Sequence, residues 1–251
     1  MKLTRAILLG GGVLVILLGG GVLVILLNSG VLVTQRGAAL TPEQVFTRAS
    51  RSVVMVYAAD SSRKIVGRGS GVFVHQDLLV TNCHVIAHGK IFRVGHMQNH
   101  SSGRLMAYDV ATDLCVLNVQ GLDVTPAHIG DARTLRVGQR VYAIGTPEGF
   151  ERTLSEGLVS GLREAAGGRY IQTTAPMSEG SSGGGLFDSE GRLIGITALV
   201  FSAGQNLNFA APVDWAVALA KKASGVGSEG SADPIELPPT LAKQWRHPLL
   251  K

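Results

Sequence analysis

Apolar residues along most of this chain come in short runs cut by glycine or polar turns. Such runs recur at 52–58, 69–75, 78–82, 91–94, 104–109, 114–119, 140–144, 157–162, 170–174, 186–188, 193–200 and 207–211. Short, closely spaced runs of this kind predict strands, and their number predicts an all-β barrel or sandwich. Helices flank them. Thr41-Pro42-Glu43-Gln44 offers an N-cap residue, a proline at the first position and an acid in the first turn, which predicts a short helix through Ser50. Another is predicted over 213–222, with Asp214 near its start and Lys221 and Lys222 near its end, where the helix dipole favours each.

The N-terminus is patterned differently. Behind Lys2 and Arg5, residues 6–27 form an unbroken non-polar stretch of 22 residues. As a helix rising ~1.5 Å per residue it would reach about 33 Å, enough for a bilayer core of roughly 30 Å. The stretch is longer than the apolar core of a cleavable signal, so it predicts an uncleaved N-terminal transmembrane helix, with a removed signal segment as the alternative. The two cations would keep its short leading end inside. Within it, Gly10-Gly11-Gly12-Val13-Leu14-Val15-Ile16-Leu17-Leu18 recurs at 19–27. The expected organisation is a membrane anchor and linker over 1–39, a globular domain over 40–222, and a flexible tail over 223–251 that is rich in Gly, Ser and Pro.

Composition narrows the function. At 251 residues, 45% hydrophobic and 16% charged, the chain suits one globular domain plus a membrane segment. The net charge of +5 is scattered, with no basic run and no aromatic interleaving, which argues against a nucleic-acid partner. His75, His88, His96, His100 and His128 show no metal-ligand spacing, so neither a metal nor a cofactor is expected.

Three segments carry candidate chemistry. Gly180-Ser181-Ser182-Gly183-Gly184 is a small-residue turn that runs into an apolar strand. Such a turn lets two backbone N–H groups converge beside a serine hydroxyl. Thr81-Asn82-Cys83-His84 delivers a histidine from an apolar strand to a polar turn, and Thr112-Asp113-Leu114 opens a second apolar strand with a carboxylate. Asp109 competes with Asp113, which is preferred because it borders the strand. Together His84, Asp113 and Ser182 form a candidate triad: the imidazole takes the serine proton while the carboxylate orients the ring. Cys83 and Cys115 each adjoin a triad position, one before His84 and the other two after Asp113. They are either a disulfide or a pair of buried thiols.

With these segments, Ala143-Ile144-Gly145-Thr146-Pro147, Ser155-Glu156-Gly157-Leu158-Val159-Ser160-Gly161 and Asn208-Phe209-Ala210-Ala211-Pro212 resemble the trypsin-like serine proteases of the HtrA/Deg type. The resemblance spans residues 40–222. It implies a chymotrypsin-like double β-barrel with the site in the cleft between barrels. It implies an oxyanion hole at Gly180, Ser181 and Ser182, with the N–H groups of Gly180 and Ser182 as donors. It also implies a specificity pocket walled by Ala175, Pro176, Met177, Ala198, Leu199, Val200 and Asn208. None of these is acidic, so cleavage after small or medium apolar residues is expected. Ser181 stands where the digestive branch has an aspartate, so no activating cut is expected. The 29 residues after 222 are too few for a PDZ domain. The expected function is a serine endopeptidase for exported, unfolded polypeptides, held in the bacterial inner membrane by its helix with the protease domain on the periplasmic side. Whether it forms a homo-oligomer is left open. The alternative is a catalytically silent module of the same fold that holds unfolded chains at the membrane.

Overall fold

The computed structural model describes residues 6–9, 13–18, 21–26, 32–35, 39–96, 99–147, 152–165, 168–200, 207–225 and 237. The chain divides into two compact units, Met1–Leu40 and Thr41–Lys251.

In the first unit the expected transmembrane helix is replaced by strands. β1 (Ala6–Leu9), β2 (Val13–Leu18), β3 (Gly21–Leu26) and β4 (Leu32–Gln35) form an antiparallel sheet in sequence order. The nine-residue repeat explains this. Its apolar part is a six-residue Val/Leu/Ile run, the length and composition of a strand, and a glycine triplet breaks any helix between copies. Leu18 pairs with Gly21, so the second copy folds back on the first. Among the described residues no helix is long and apolar enough to cross a membrane.

The second unit begins with α1 (Pro42–Ala49), capped as expected. Thr41 Oγ1 accepts from Gln44 N (3.3 Å), and Gln44 Oε1 accepts from Thr41 N (3.0 Å). Two closed six-stranded barrels follow. The first comprises β5 (Val53–Ala59), β6 (Ile65–His75), β7 (Leu78–Asn82), β8 (Ile91–His96), β9 (Asn99–Asp109) and β10 (Leu114–Val119), in the order β10-β7-β6-β5-β8-β9. The one-turn α2 (Cys83–Ile86) follows β7. The second barrel comprises β11 (Arg140–Gly145), β12 (Thr153–Ala165), β13 (Gly168–Thr173), β14 (Gly185–Asp188), β15 (Leu193–Val200) and β16 (Asn208–Pro212), in the order β11-β12-β13-β16-β15-β14. The architecture is an all-β, chymotrypsin-like double barrel with short helices.

Val54, Val56, Phe73, Leu79, Val94 and Leu117 fill the first barrel. In the second, Tyr142, Ile144, Ile171, Leu186, Phe187 and Leu193 are fully buried. Closure gives every strand a neighbour on both sides over part of its length, and β7, β14 and β16 are buried along their whole length, so they show no in–out alternation. α3 (Val213–Gly225) leaves the second barrel and packs on β15, and also on β9 and β10 of the first. Its Trp215 meets Tyr170 of β13 edge to face, with centroids 5.1 Å apart.

Candidate active site

β7 ends at Asn82, and the chain turns into α2, which carries His84. β10 starts one residue after Asp113 and pairs antiparallel with β7, Leu114 opposite Asn82 and Cys115 opposite Thr81. That register brings the imidazole and the carboxylate together. His84 Nδ1 lies 2.5 Å from Asp113 Oδ2, and His84 N donates to Asp113 Oδ1 (3.0 Å). The Asp113 main chain is held from the same side: its carbonyl accepts from Asn82 Nδ2 (2.9 Å) and Cys83 N (3.2 Å). Asp113 adopts φ 57°, the left-handed region that a non-glycine residue enters only when its surroundings impose it. Its side chain is fully buried while that of His84 is 31% exposed. Burial pushes the Asp113 carboxyl above the usual carboxylate range, against the pull of the His84 hydrogen bonds. Asp109, the rival acid, instead closes a local turn through Ala111 N (3.0 Å). Cys83 and Cys115 are joined as a disulfide, with Cα atoms 5.0 Å apart.

Ser182 belongs to the second barrel, in the turn before β14, and is pinned to the first. Ser70 N of β6 donates to the Ser182 carbonyl (2.8 Å), and Ser70 Oγ donates to the Gly180 carbonyl (2.7 Å). Thr146 N donates to Ser70 Oγ (2.8 Å), and Thr81 Oγ1 donates to Ser70 O (2.7 Å). A methyl group at Gly69 would sit 2.6 Å from a methyl carbon of Val85 and 2.9 Å from the Ser182 carbonyl oxygen. The residue after His84 and the backbone of Ser182 therefore flank one point. Gly183 has φ 85°, and any side chain there would collide with the Ser70 carbonyl. The two barrels meet through this small-residue seam.

The Ser182 hydroxyl donates to the Ala198 carbonyl at 3.4 Å, a weak bond easily exchanged. Among the described residues, the N–H groups of Gly180 and Ser182 have no protein acceptor, whereas Ser181 N donates to Ser178 O (3.0 Å). Ser181 Oγ accepts from Ser178 N (3.2 Å), and Ser181 O accepts from Thr197 Oγ1 (2.6 Å). Ser181 thus ties the turn from within through its N–H, hydroxyl and carbonyl.

Of the expected pocket residues, Ala175 and Ala198 are buried and Asn208 Nδ2 donates to the Ala175 carbonyl (2.7 Å). Leu199 and Val200 lie on β15 beside β16, Leu199 opposite Phe209 and Val200 opposite Asn208. Pro176 and Met177 line a cavity of about 150 Å³ with Ala143, Ile144, Ser181 and Thr197. Neither Ala198 nor Asn208 lines it.

Ser70, Asn82 and Thr197 have no role in the sequence reading. A signal for the first exists in Gly69-Ser70-Gly71, small residues inside a strand where close approach of another backbone is the usual reason. Ser70→Ala strips partners from two buried groups, the Gly180 carbonyl and the Thr146 N–H. It is expected to cost roughly 2–4 kcal/mol, seen as a lower urea midpoint at unchanged slope. An unchanged midpoint would show that the hydroxyl carries no part of the seam.

The Trypsin-like peptidase domain family matches residues 69–196. The chain is 34% identical over 176 residues to the anti-sigma-I factor RsgI9 of Acetivibrio thermocellus, covering 69% of this chain and 25% of that protein. It is 36% identical over 183 residues to a probable periplasmic serine endoprotease, DegP-like, of Pseudomonas savastanoi pv. phaseolicola, covering 68% of this chain and 38% of that one. The chain thus spans between a quarter and two fifths of these relatives. The crystal structure of the serine endoprotease from Yersinia pestis superposes with a TM-score of 0.67 at 29% identity, over 74% of this chain and 68% of that chain. Family match, relatives and fold agree, and the chain belongs to the trypsin-like peptidases of the HtrA/Deg type.

Proposed function

We propose that the chain is a serine endopeptidase whose domain over residues 40–222 cleaves peptide bonds through an acyl-enzyme. The observation that carries this is the buried Asp113 carboxylate bonded to the His84 imidazole, next to a serine turn that the other barrel holds by its backbone. In this reading Ser182 Oγ leaves the Ala198 carbonyl, gives its proton to His84 and attacks the substrate carbonyl. Asp113 keeps the imidazole in the accepting tautomer and stabilises the imidazolium that forms. The N–H groups of Gly180 and Ser182 receive the oxyanion, Ser181 shaping the turn between them; each such donor is worth about 2.7–4 kcal/mol of barrier. His84 then protonates the leaving amine, and water repeats the sequence to release the acid.

β14 pairs with β15 only as far as Ile196, so 198–200 keep one edge uncovered among the described residues. A substrate strand adds there and presents its side chain to a pocket bounded by Ala175, Pro176, Met177 and Asn208. The family resemblance supports this pocket, and the absence of a carboxylate from it favours small or medium apolar residues. The substrates in this reading are unfolded exported polypeptides, and the domain works outside the cytoplasm, as the periplasmic relative does by its name. Cell fractionation that recovered the chain in the cytosol would overturn that placement. An intact set of His84, Asp113 and Ser182 disfavours the silent-module alternative.

A fluorophosphonate probe is expected to label the purified chain at Ser182, and a peptide library should be cut mainly after Ala, Val or Leu. Label on another residue would remove the proposed nucleophile. A profile dominated by Lys or Arg would remove the proposed pocket.

A further inference from the structure

The Cys83–Cys115 disulfide joins the two segments whose alignment the reaction depends on. Both cysteines are fully buried, and 32 residues separate them. Cys83 is bonded through one peptide to His84. Cys115 lies two residues beyond Asp113 on the strand that Asp113 opens. Beside the β7–β10 ladder, hydrogen bonds tie residues 82–84 to Asp113: Asn82 Nδ2 and Cys83 N to its carbonyl, His84 N and His84 Nδ1 to its carboxylate. These links hold a residue that opposes them twice. Its backbone is in the left-handed region, and its carboxylate has no exposure to water. The disulfide ties α2 itself to β10, and neither a turn of Asp113 nor a change in its charge weakens it.

We propose that Cys83 and Cys115 are positioning residues: their bond keeps α2 and the start of β10 in the register that aligns the His84 imidazole with the Asp113 carboxylate. Opening the bond leaves the barrel closed through the β7–β10 ladder and frees the base–acid pair to drift. The chemistry slows while substrate binding, which uses the second barrel, stays as it was. This inference rests on the proposed protease mechanism.

The test compares wild type with Cys83→Ala/Cys115→Ala, assayed well below both melting temperatures. The double variant is expected to lose about tenfold in kcat with KM within twofold of wild type, and its rate of fluorophosphonate labelling should fall in parallel. Folding of the variant is checked by near-UV circular dichroism. The same comparison is made on wild-type protein treated with excess dithiothreitol at sub-denaturing urea. There the disulfide takes two electrons and two protons to become two thiols, and the reductant closes to its cyclic disulfide. Loss of kcat on reduction, recovery on reoxidation and indifference of the double variant to the reductant support the clamp. A lower melting temperature with kcat unchanged would make the bond a staple of the fold only. A KM that moves as far as kcat would place its effect on the cleft. Either result overturns the proposal while leaving the protease reading intact. A wild type inert to both peptide and probe overturns that reading, and the clamp with it.

Discussion

Ser182→Ala is expected to lower kcat by about 10⁶-fold, the scale found when the nucleophile of a serine triad is removed. The loss should fall on kcat rather than KM. Among the described residues the hydroxyl donates a weak bond to the Ala198 carbonyl, and the backbone that shapes the turn is held elsewhere. Ser70 holds the carbonyls of Gly180 and Ser182, and Thr197 holds that of Ser181, none of them through the Ser182 side chain. The variant should therefore fold and bind peptide normally, and single-turnover experiments should show no burst of acyl-enzyme. Residual hydrolysis of some 10³–10⁴ over water is expected from an intact oxyanion hole. A variant within tenfold of wild type would mean that another group performs the attack.

Asp113→Asn is expected to reduce kcat by about 10⁴-fold and to do so without loss of stability at neutral pH. An amide presents an NH₂ where the carboxylate presents an acceptor. Facing it, His84 Nδ1 must become the acceptor, the ring proton moves to Nε2, and the imidazole can no longer take the serine proton. For stability the sign follows from the direction of the shift. Burial raises the folded-state pKa of Asp113 above its unfolded value. Its contribution is then fully present below the unfolded pKa of about 3.9 and is lost as the pH climbs through the higher folded value. At pH 7 the ionised side chain is a burden that the neutral amide removes. Urea midpoints should show Asp113→Asn at least as stable as wild type at pH 7, with the difference closing near pH 3.5. A variant clearly weaker at pH 7 would mean that the bonds to His84 outweigh burial of the charge.

The barrels were legible where apolar composition alone marks a strand. β7, β10 and β11 begin or end within a residue or so of their apolar runs. β6, β9 and β12 reach further, from Ile65, Asn99 and Thr153. The added arm of β9, Asn99-His100-Ser101-Ser102-Gly103, is polar and pairs with β8 in a hairpin that no hydrophobic pattern reports. The N-terminal stretch misled because an all-apolar sequence satisfies helix and strand periods equally. The glycine triplets, rather than the length of the stretch, discriminate between the two. The catalytic candidates were legible because each sits at the junction of an apolar run and a polar turn. What brings His84 to Asp113 is the register of β7 on β10, a long-range property, so the state of the two cysteines stayed open until that register was known. Ser70 was hidden for the same reason: its partners lie 76 and 110 residues away, in the other barrel.

The strands of each barrel are contiguous in sequence, β5 through β10 before any of β11 through β16. The first barrel can close, with His84 and Asp113 already paired, before the second has formed. The hydroxyl they would activate arrives later, and its turn is seated only when β14 and β15 are present to carry it. In the proposed mechanism, a chain with only its first barrel formed therefore holds an imidazole paired with its carboxylate but no nucleophile, and gains the capacity to cut only once the second barrel has formed.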